Sequence, residues 1–150
     1  MEKLKAILIV VFTVCSIVSF AQNSGDKTYT LNINVNDLRN STGVVQFSLY
    51  NVEGSIPDEH FEKYFKVQKA KIIGEASSMT FDNLPEGNYA VNILHDENEN
   101  GKTDKGMVLP VEGIGFSNYT NINLFNRPKY SKAKFELKND KTIQIQVIYM

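Results

Sequence analysis

Short segments in which apolar and polar residues alternate recur along the chain, and this period of two constrains the fold more than any other feature. In "YTLNINVN", which begins at Tyr29, the apolar residues Leu31, Ile33 and Val35 alternate with Thr and Asn. The segment "TIQIQVIYM" repeats the pattern near the other end of the chain. Such alternation is typical of a strand that buries one face in a core and leaves the other in solvent.

Further strand candidates lie between these two, and short segments rich in Gly, Pro, Asn and Asp separate them. They are "GVVQFSLY", "FKVQKAKIIG", "ASSMTFDNLP", "GNYAVNILHD", "YTNINLF" and "AKFELK". About seven to eight short strands at this spacing predict an all-β fold, an antiparallel β-sandwich. We expect "NDLRNSTG" to join the first two strands as a hairpin. A single helical turn is expected from Asp58 to Tyr64.

The first residues predict a secretory signal peptide. Lys3 and Lys5 precede an apolar run over residues 6–18, and a small-x-small pattern ends at Ala21. A lipoprotein that is lipidated at Cys15 is the alternative, but Cys15 lies inside the apolar run. We therefore predict a signal peptide over residues 1–21 and a single domain over residues 22–150. We expect this domain to have no transmembrane segment and to be periplasmic or secreted.

Composition excludes two classes of protein. Cys15 is the only cysteine, so no disulfide can stabilise the domain after cleavage. The 16 basic and 17 acidic residues nearly balance, and this argues against a nucleic-acid partner. A chain of 150 residues is long enough to bury a core without covalent links.

The stretch "HDENENGKTD", residues 95–104, places oxygen-bearing side chains on alternate residues next to a glycine. Calcium takes six to eight oxygen ligands, and loops supply them in this pattern. The predicted calcium ligands are the side chains of Asp96, Asn98, Asn100 and Asp104, the backbone carbonyl of Lys102, and the side chain of Glu112. Glu112 lies in "LPVEGIGFSN", which we expect to fold back over the loop.

The loop matches the first nine positions of an EF-hand loop, but Met107 stands where the bidentate Glu would be. We therefore expect an affinity of about 10⁻⁴–10⁻³ M, as in extracellular modules. Zinc is disfavoured because His95 is the only nearby nitrogen ligand. The alternative is a polar turn without an ion, since Asp, Asn and Gly are common in turns.

No catalytic constellation is predicted. His95 could act as the base of a hydrolase, but no nucleophile lies near it by spacing, and Ser117 lacks the G-x-S-x-G motif. We expect His95 to end a strand and to pack beside the loop. Tyr119, Phe125 and Tyr130 are candidates for an exposed aromatic patch.

Taken together, "FDNLPEGNYAVNILHDENENGKTD" and "LPVEGIGFSN" resemble a bacterial family of small secreted proteins known as domain of unknown function two-one-four-one. The resemblance spans most of residues 22–150. It implies an exported location and a prealbumin-like or immunoglobulin-like sandwich, and it implies no activity.

These observations favour a calcium-stabilised binding or structural module of the bacterial envelope. Such a module would present residues 112–118 as a recognition surface to another envelope protein or to a glycan. A carbohydrate-binding module is the first alternative, with exposed aromatics beside the loop. A hydrolase that uses His95 is the second.

Overall fold

The computed structural model describes residues 27–107, 109–123 and 125–150. The predicted signal peptide, residues 1–21, and with it Cys15, lie outside these ranges. No helix within them is long and apolar enough to cross a membrane.

Two β-sheets form most of the described chain. The elements are β1 (Thr28–Asn36), β2 (Val44–Tyr50), β3 (Lys66–Lys71), β4 (Ser77–Pro85), β5 (Gly87–Asp96), β6 (Gly113–Phe116), α1 (Tyr130–Ala133), β7 (Phe135–Leu137) and β8 (Lys141–Gln146). The first sheet has the order β4-β1-β8, and the second has the order β3-β2-β5-β6. β7 pairs with the start of β5. The predicted all-β sandwich is therefore confirmed.

The main core lies between the two sheets and follows from the alternation. Leu31, Ile33 and Val35 of β1 are fully buried, as are Phe47 of β2 and Val91 of β5. Complete burial of an aliphatic side chain contributes about 1.5–3 kcal/mol. The alternating residues of β1 thus hold the first sheet against the second.

The predicted hairpin between the first two strands is wrong. β1 pairs antiparallel with β4 and parallel with β8, where Ile33 lies opposite Ile143. β2 lies in the second sheet, between β3 and β5, so residues 37–43 cross from one sheet to the other. Two strands with one apolar face each can bury those faces across a core as well as side by side in one sheet. The alternation alone does not distinguish these arrangements.

β6 is a strand in a segment that was not among the strand candidates. It pairs with residues 92–95 of β5. A Cβ atom on Gly113 would lie 2.4 Å from the Tyr149 ring, and one on Gly115 would lie 2.5 Å from the Gln146 carbonyl oxygen. Glycine is uncommon in strands, but here it lets the C-terminal segment pack closely against β6.

Two other expectations are wrong. The described residues of "YTNINLF" form turns and an isolated bridge at Asn123 rather than a strand. Residues 58–64 form no helical turn. The Asp58 carboxylate instead accepts hydrogen bonds from the backbone N–H groups of Glu62 and Lys63 and holds the segment in a turn. The helix α1 was not predicted.

A second apolar cluster covers the outer face of the second sheet. Ile114 and Phe116 of β6 pack there with Tyr50 of β2, Ile56 and Tyr130. The covering side chains are those of Ile56, Phe61, Tyr119, Ile122, Tyr130 and Ala133. The segment from Asp96 to Glu112, called here the candidate loop, leaves the second sheet at the end of β5 and returns to it at β6.

Candidate functional site

Asp96 anchors the start of the candidate loop. It is the last residue of β5, and its side chain is fully buried. Its Oδ1 accepts a hydrogen bond from the Asn100 N–H at 2.9 Å, and its Oδ2 accepts one from the Gly101 N–H at 2.8 Å. The Lys69 ammonium of β3 lies 2.9 Å from the same Oδ2. A buried carboxylate needs such partners because its desolvation is costly.

Asn98, Asn100 and Asp104 meet on the more exposed side of the candidate loop. The Asn98 Nδ2 lies 2.6 Å from Oδ2 of Asp104, and the Asn100 Nδ2 lies 2.9 Å from Oδ1. Asn98 Oδ1 accepts the Asn100 N–H, and Asn100 Oδ1 accepts the Lys102 N–H. The alternate spacing therefore produces successive side-chain turns that bring these three side chains together, as Asn and Asp commonly do.

Glu112 closes the candidate loop from its far end, as the sequence predicted. Its Oε1 accepts the Glu97 N–H at 3.0 Å and its Oε2 accepts the Asp104 N–H at 3.1 Å. The side chain is buried, with 4% exposed. Burial raises the pKa of Glu112, although the two backbone hydrogen bonds oppose this rise. One carboxylate thus joins the two halves of the loop.

The backbone of the candidate loop includes two left-handed residues. Glu99 has a φ of 60° and Gly101 a φ of 77°. Gly101 stands where the predicted bend falls, and glycine adopts this conformation without a steric cost. The Glu99 side chain is exposed.

Glu97 points out of the candidate loop toward residues 39 and 40. Its carboxylate forms an ion pair with Arg39, and it also accepts a hydrogen bond from Asn40 Nδ2 at 2.7 Å. Arg39 in turn donates to the Val111 carbonyl oxygen at 3.1 Å. These contacts lower the pKa of Glu97 to about 2, with the Arg39 hydrogen bond as the largest cause. The loop is thereby tied to the connection between the two sheets.

His95 is bound on both ring nitrogens and is fully buried. Nδ1 lies 2.7 Å from the Tyr149 hydroxyl oxygen, and Nε2 lies 2.9 Å from the Thr42 carbonyl oxygen. Because a carbonyl only accepts, Nε2 carries a proton and donates it to Thr42. His95 therefore lies one residue before the end of β5, and its buried ring is not accessible to a substrate.

Six residues were predicted to bind the ion, five of them through their side chains. The structure joins these five side chains in one hydrogen-bonded network. The sixth, Lys102, joins it through its backbone N–H. Within the described ranges, no group of three or more His, Cys, Asp or Glu side chains is arranged to hold a metal ion. A metal site in the candidate loop would therefore need the side-chain amide oxygens of Asn98 and Asn100 as ligands.

Two cationic partners of the candidate loop were missed from the sequence. Lys69 of β3 pairs with Asp96 of β5, and β2 lies between these two strands. Arg39 pairs with Glu97 from the connection between β1 and β2. The alternation in β3 assigns Lys69 to a face, but no local pattern assigns it to Asp96.

The expected recognition surface over residues 112–118 is not formed. Residues 112–117 are buried, and only Asn118 is exposed. Of the three aromatic candidates, Tyr119 and Tyr130 are also buried, and Phe125 is exposed. These three side chains therefore do not form a common stacking surface for a sugar.

Comparison with known proteins yields two findings. A family model described as "Uncharacterized protein conserved in bacteria (DUF2141)" matches residues 33–145. No curated protein matches the chain. A crystal structure of a fimbrial assembly protein from Parabacteroides distasonis ATCC 8503 is similar with a TM-score of 0.42 and 8% sequence identity, over 82% of this chain and 53% of that one. The chain spans about half the length of that protein, and we draw no argument from a similarity of this size.

Proposed function

We propose, since the chain belongs to the DUF2141 family of bacterial proteins, that it is an exported β-sandwich module of the bacterial envelope whose candidate loop binds calcium. The observation that carries this proposal is the meeting of Asn98, Asn100 and Asp104 in one loop that Asp96 and Glu112 hold closed. The signal-peptide pattern of residues 1–21 supports export.

The proposed ligand set is the one expected from the sequence. It comprises the side chains of Asp96, Asn98, Asn100, Asp104 and Glu112 and the carbonyl of Lys102. For binding, Asn98 and Asn100 would rotate so that each carboxamide oxygen faces the ion beside Asp104, and they would give up the hydrogen bonds that these oxygens accept from the Asn100 and Lys102 N–H groups. A hard cation would then meet amide and carboxylate oxygens, the donors that calcium prefers.

The function of the ion is expected to be stability. An ion that binds only the folded chain raises the free energy of unfolding by mass action. This matters for a domain that has no cysteine over residues 22–150. The candidate loop joins β5 to β6, so an ordered loop would also hold β6 at the edge of the second sheet.

Calcium is expected to raise the melting temperature of the folded domain. At tenfold excess over its dissociation constant the ion adds about 1.4 kcal/mol, which corresponds to a rise of about 4 °C for a domain of this size. Asp104→Asn removes the charge that both amides contact and should reduce the rise to below about 1 °C. The measurement is thermal unfolding in a calcium titration up to about 10 mM.

Glu99→Gln is the matched control, because it removes one negative charge from an exposed side chain of the same loop. It should keep the full rise. Potassium chloride at equal ionic strength should give none. An equal rise in Asp104→Asn, or a rise with potassium chloride, would contradict the proposal.

A second test replaces Lys69, whose ammonium group pairs with Asp96. Lys69 provides a positive charge to buried Asp96, so Lys69→Met should lower the free energy of unfolding by about 2–3 kcal/mol in a chelator. Calcium should raise the free energy of unfolding of Lys69→Met by more than it raises that of the original protein, because Asp96 then has no ammonium partner that competes with the ion. We expect the calcium-dependent rise in melting temperature to be larger in Lys69→Met. A smaller or absent rise would argue that Asp96 is not a ligand.

A further inference from the structure

β8 forms an open edge of the first sheet. The order of that sheet is β4-β1-β8, and residues 141–146 pair in parallel with residues 31–36 of β1. Among the described residues, the backbone of residues 141–146 forms no hydrogen bond with any strand other than β1. Successive residues of a strand direct their backbone N–H and C=O groups to opposite sides, so half of these groups point away from β1. We call residues 141–146 the β8 edge.

The other sheet edges within the described ranges carry features that oppose strand pairing. β3 contains three lysines. β4 has a register shift opposite residues 29–31, and it ends at Pro85. β6 is already paired, because the backbone groups of Ile114 and Ile148 bond to each other in both directions, and β7 has only three residues. Lysines, bulges, proline and short strands are the means by which natural sheets avoid association through their edges.

The β8 edge has none of these features after its first residue. Residues 142–147 read "TIQIQV" and contain no charged residue, proline or glycine. Their register with β1 contains no shift. Thr, Ile and Val favour strands, and uncharged segments of this kind are prone to pair with further strands. One open edge in a protein that protects its other edges indicates a surface for strand pairing.

Open space lies beside this edge. A groove of about 500 Å³ is lined by residues 144–147, by the end of β1 and by residues 116 and 118–120. Its lining includes the exposed side chains of Gln144 and Gln146. Over these residues, no other segment of the described chain covers the strand.

The side chains of the β8 edge are self-complementary. Thr142, Gln144 and Gln146 are exposed, whereas Ile143 and Ile145 pack against the core between the sheets. A twofold axis at Gln144, perpendicular to the sheet, makes a second β8 antiparallel to the first. Ile143 then lies opposite Ile145 of the second copy, and Thr142 lies opposite Gln146. Apolar residues thus meet apolar residues, and polar residues meet polar ones.

The absence of charge favours a second copy as the partner. A twofold axis places identical residues opposite each other, so a charged strand would repel its own copy. An axis at Ile143 is less favourable, because it would place the charged Lys141 opposite the apolar Ile145. Gln144 is therefore the residue that we assign to the axis.

We propose that the β8 edge pairs antiparallel with the β8 edge of a second copy of this chain, with Gln144 on the twofold axis. The two first sheets then form one continuous sheet with the order β4-β1-β8-β8-β1-β4. The β4 strands become its outer edges, and their register shift and proline end the association at the dimer. This inference does not depend on calcium.

Sedimentation equilibrium of the purified protein in a chelator measures the association. A pair of short strands makes a small interface, so we expect a weak dimer that is half formed at about 10–100 μM protein. A protein that stays monomeric up to about 500 μM would overturn the proposal and leave the edge to a strand of a different protein.

Gln144→Lys places two like charges opposite each other at the axis. It should raise the dissociation constant of the dimer about fivefold at an ionic strength of about 0.1 M, and Gln144→Glu should do the same. An equimolar mixture of the two variants should associate about tenfold more tightly than either variant alone, because opposite charges then meet. Gln144 is exposed, so neither change is expected to unfold the protein, and circular dichroism checks this.

Asn34→Lys is the matched control. Asn34 lies directly beside Gln144 in the sheet, but it belongs to β1 and not to the edge. With strands about 4.8 Å apart, the two copies of residue 34 would lie about 14 Å from each other, beyond the Debye length of about 10 Å at this ionic strength. The dimer should therefore be retained. A dimer that is unchanged in Gln144→Lys, that is lost in Asn34→Lys, or that the mixture does not restore would overturn the proposal, since the contact would then lie elsewhere.

Discussion

Replacing Gly43 with alanine is expected to lower the free energy of unfolding by about 3–5 kcal/mol, from left-handed strain and overpacking together. Gly43 has a φ of 73°, and a Cβ atom there would lie 2.1 Å from the Asp96 carbonyl oxygen and 2.7 Å from Glu97 Cα. Both contacts are with backbone, which cannot rotate away as a flexible side chain can. Urea unfolding monitored by circular dichroism measures the loss.

Gly74→Ala is the matched control for this prediction. Gly74 is also left-handed, with a φ of 60°, but no atom lies within 4 Å of its added Cβ. Only the conformational strain remains, so we expect a loss of about 1 kcal/mol. Equal losses in the two variants would show that the crowding against the start of the candidate loop is unimportant.

Glu97→Gln is expected to lower the free energy of unfolding at pH 7 by about 1–2 kcal/mol. The pKa of Glu97 is lowered to about 2 from an ordinary value of 4.5. A group whose pKa is lowered by folding stabilises the protein above its unfolded pKa, and this stability is lost as the pH falls through its folded pKa. The full shift would correspond to about 3 kcal/mol, which we reduce because Arg39 is partly exposed and solvent screens the pair.

The difference between the original protein and Glu97→Gln should therefore shrink steadily between about pH 4.5 and pH 2. Urea unfolding in a chelator at several pH values measures it, so that no bound ion contributes. Glu136→Gln removes a carboxylate from an exposed pair with Lys138 and should change the stability by less than about 0.5 kcal/mol at any pH. A pH-independent difference in Glu97→Gln would contradict the role assigned to the ion pair.

The candidate loop shows which contacts can be predicted from neighbouring residues in the sequence and which cannot. The alternate spacing of Asp96, Asn98 and Asn100 predicted that their oxygen atoms would converge on an ion. In the structure these side chains accept hydrogen bonds from backbone N–H groups two to five residues ahead. The return of Glu112 was also predicted. The partners Lys69 and Arg39 were not, because they come from strands and connections far away in the sequence.

The same limit applies to the outer face of the second sheet. Asn92 lies at an even position in the alternation of β5, and this position assigns it to that face. Whether the face is covered depends on side chains from distant segments, such as Ile56, Tyr119 and Tyr130. No local signal could therefore identify Asn92 as a buried polar group.

The sequence by itself determined the class of the fold and the positions of every strand except β6, because short apolar and alternating segments between turn residues are a property of neighbouring residues in the chain. The tertiary structure alone decided which strands pair. It placed β1 parallel to β8 and made a strand of the glycine-containing segment β6. These outcomes depend on how apolar faces and small residues from distant segments fit together, and that fit exists only once the chain has folded.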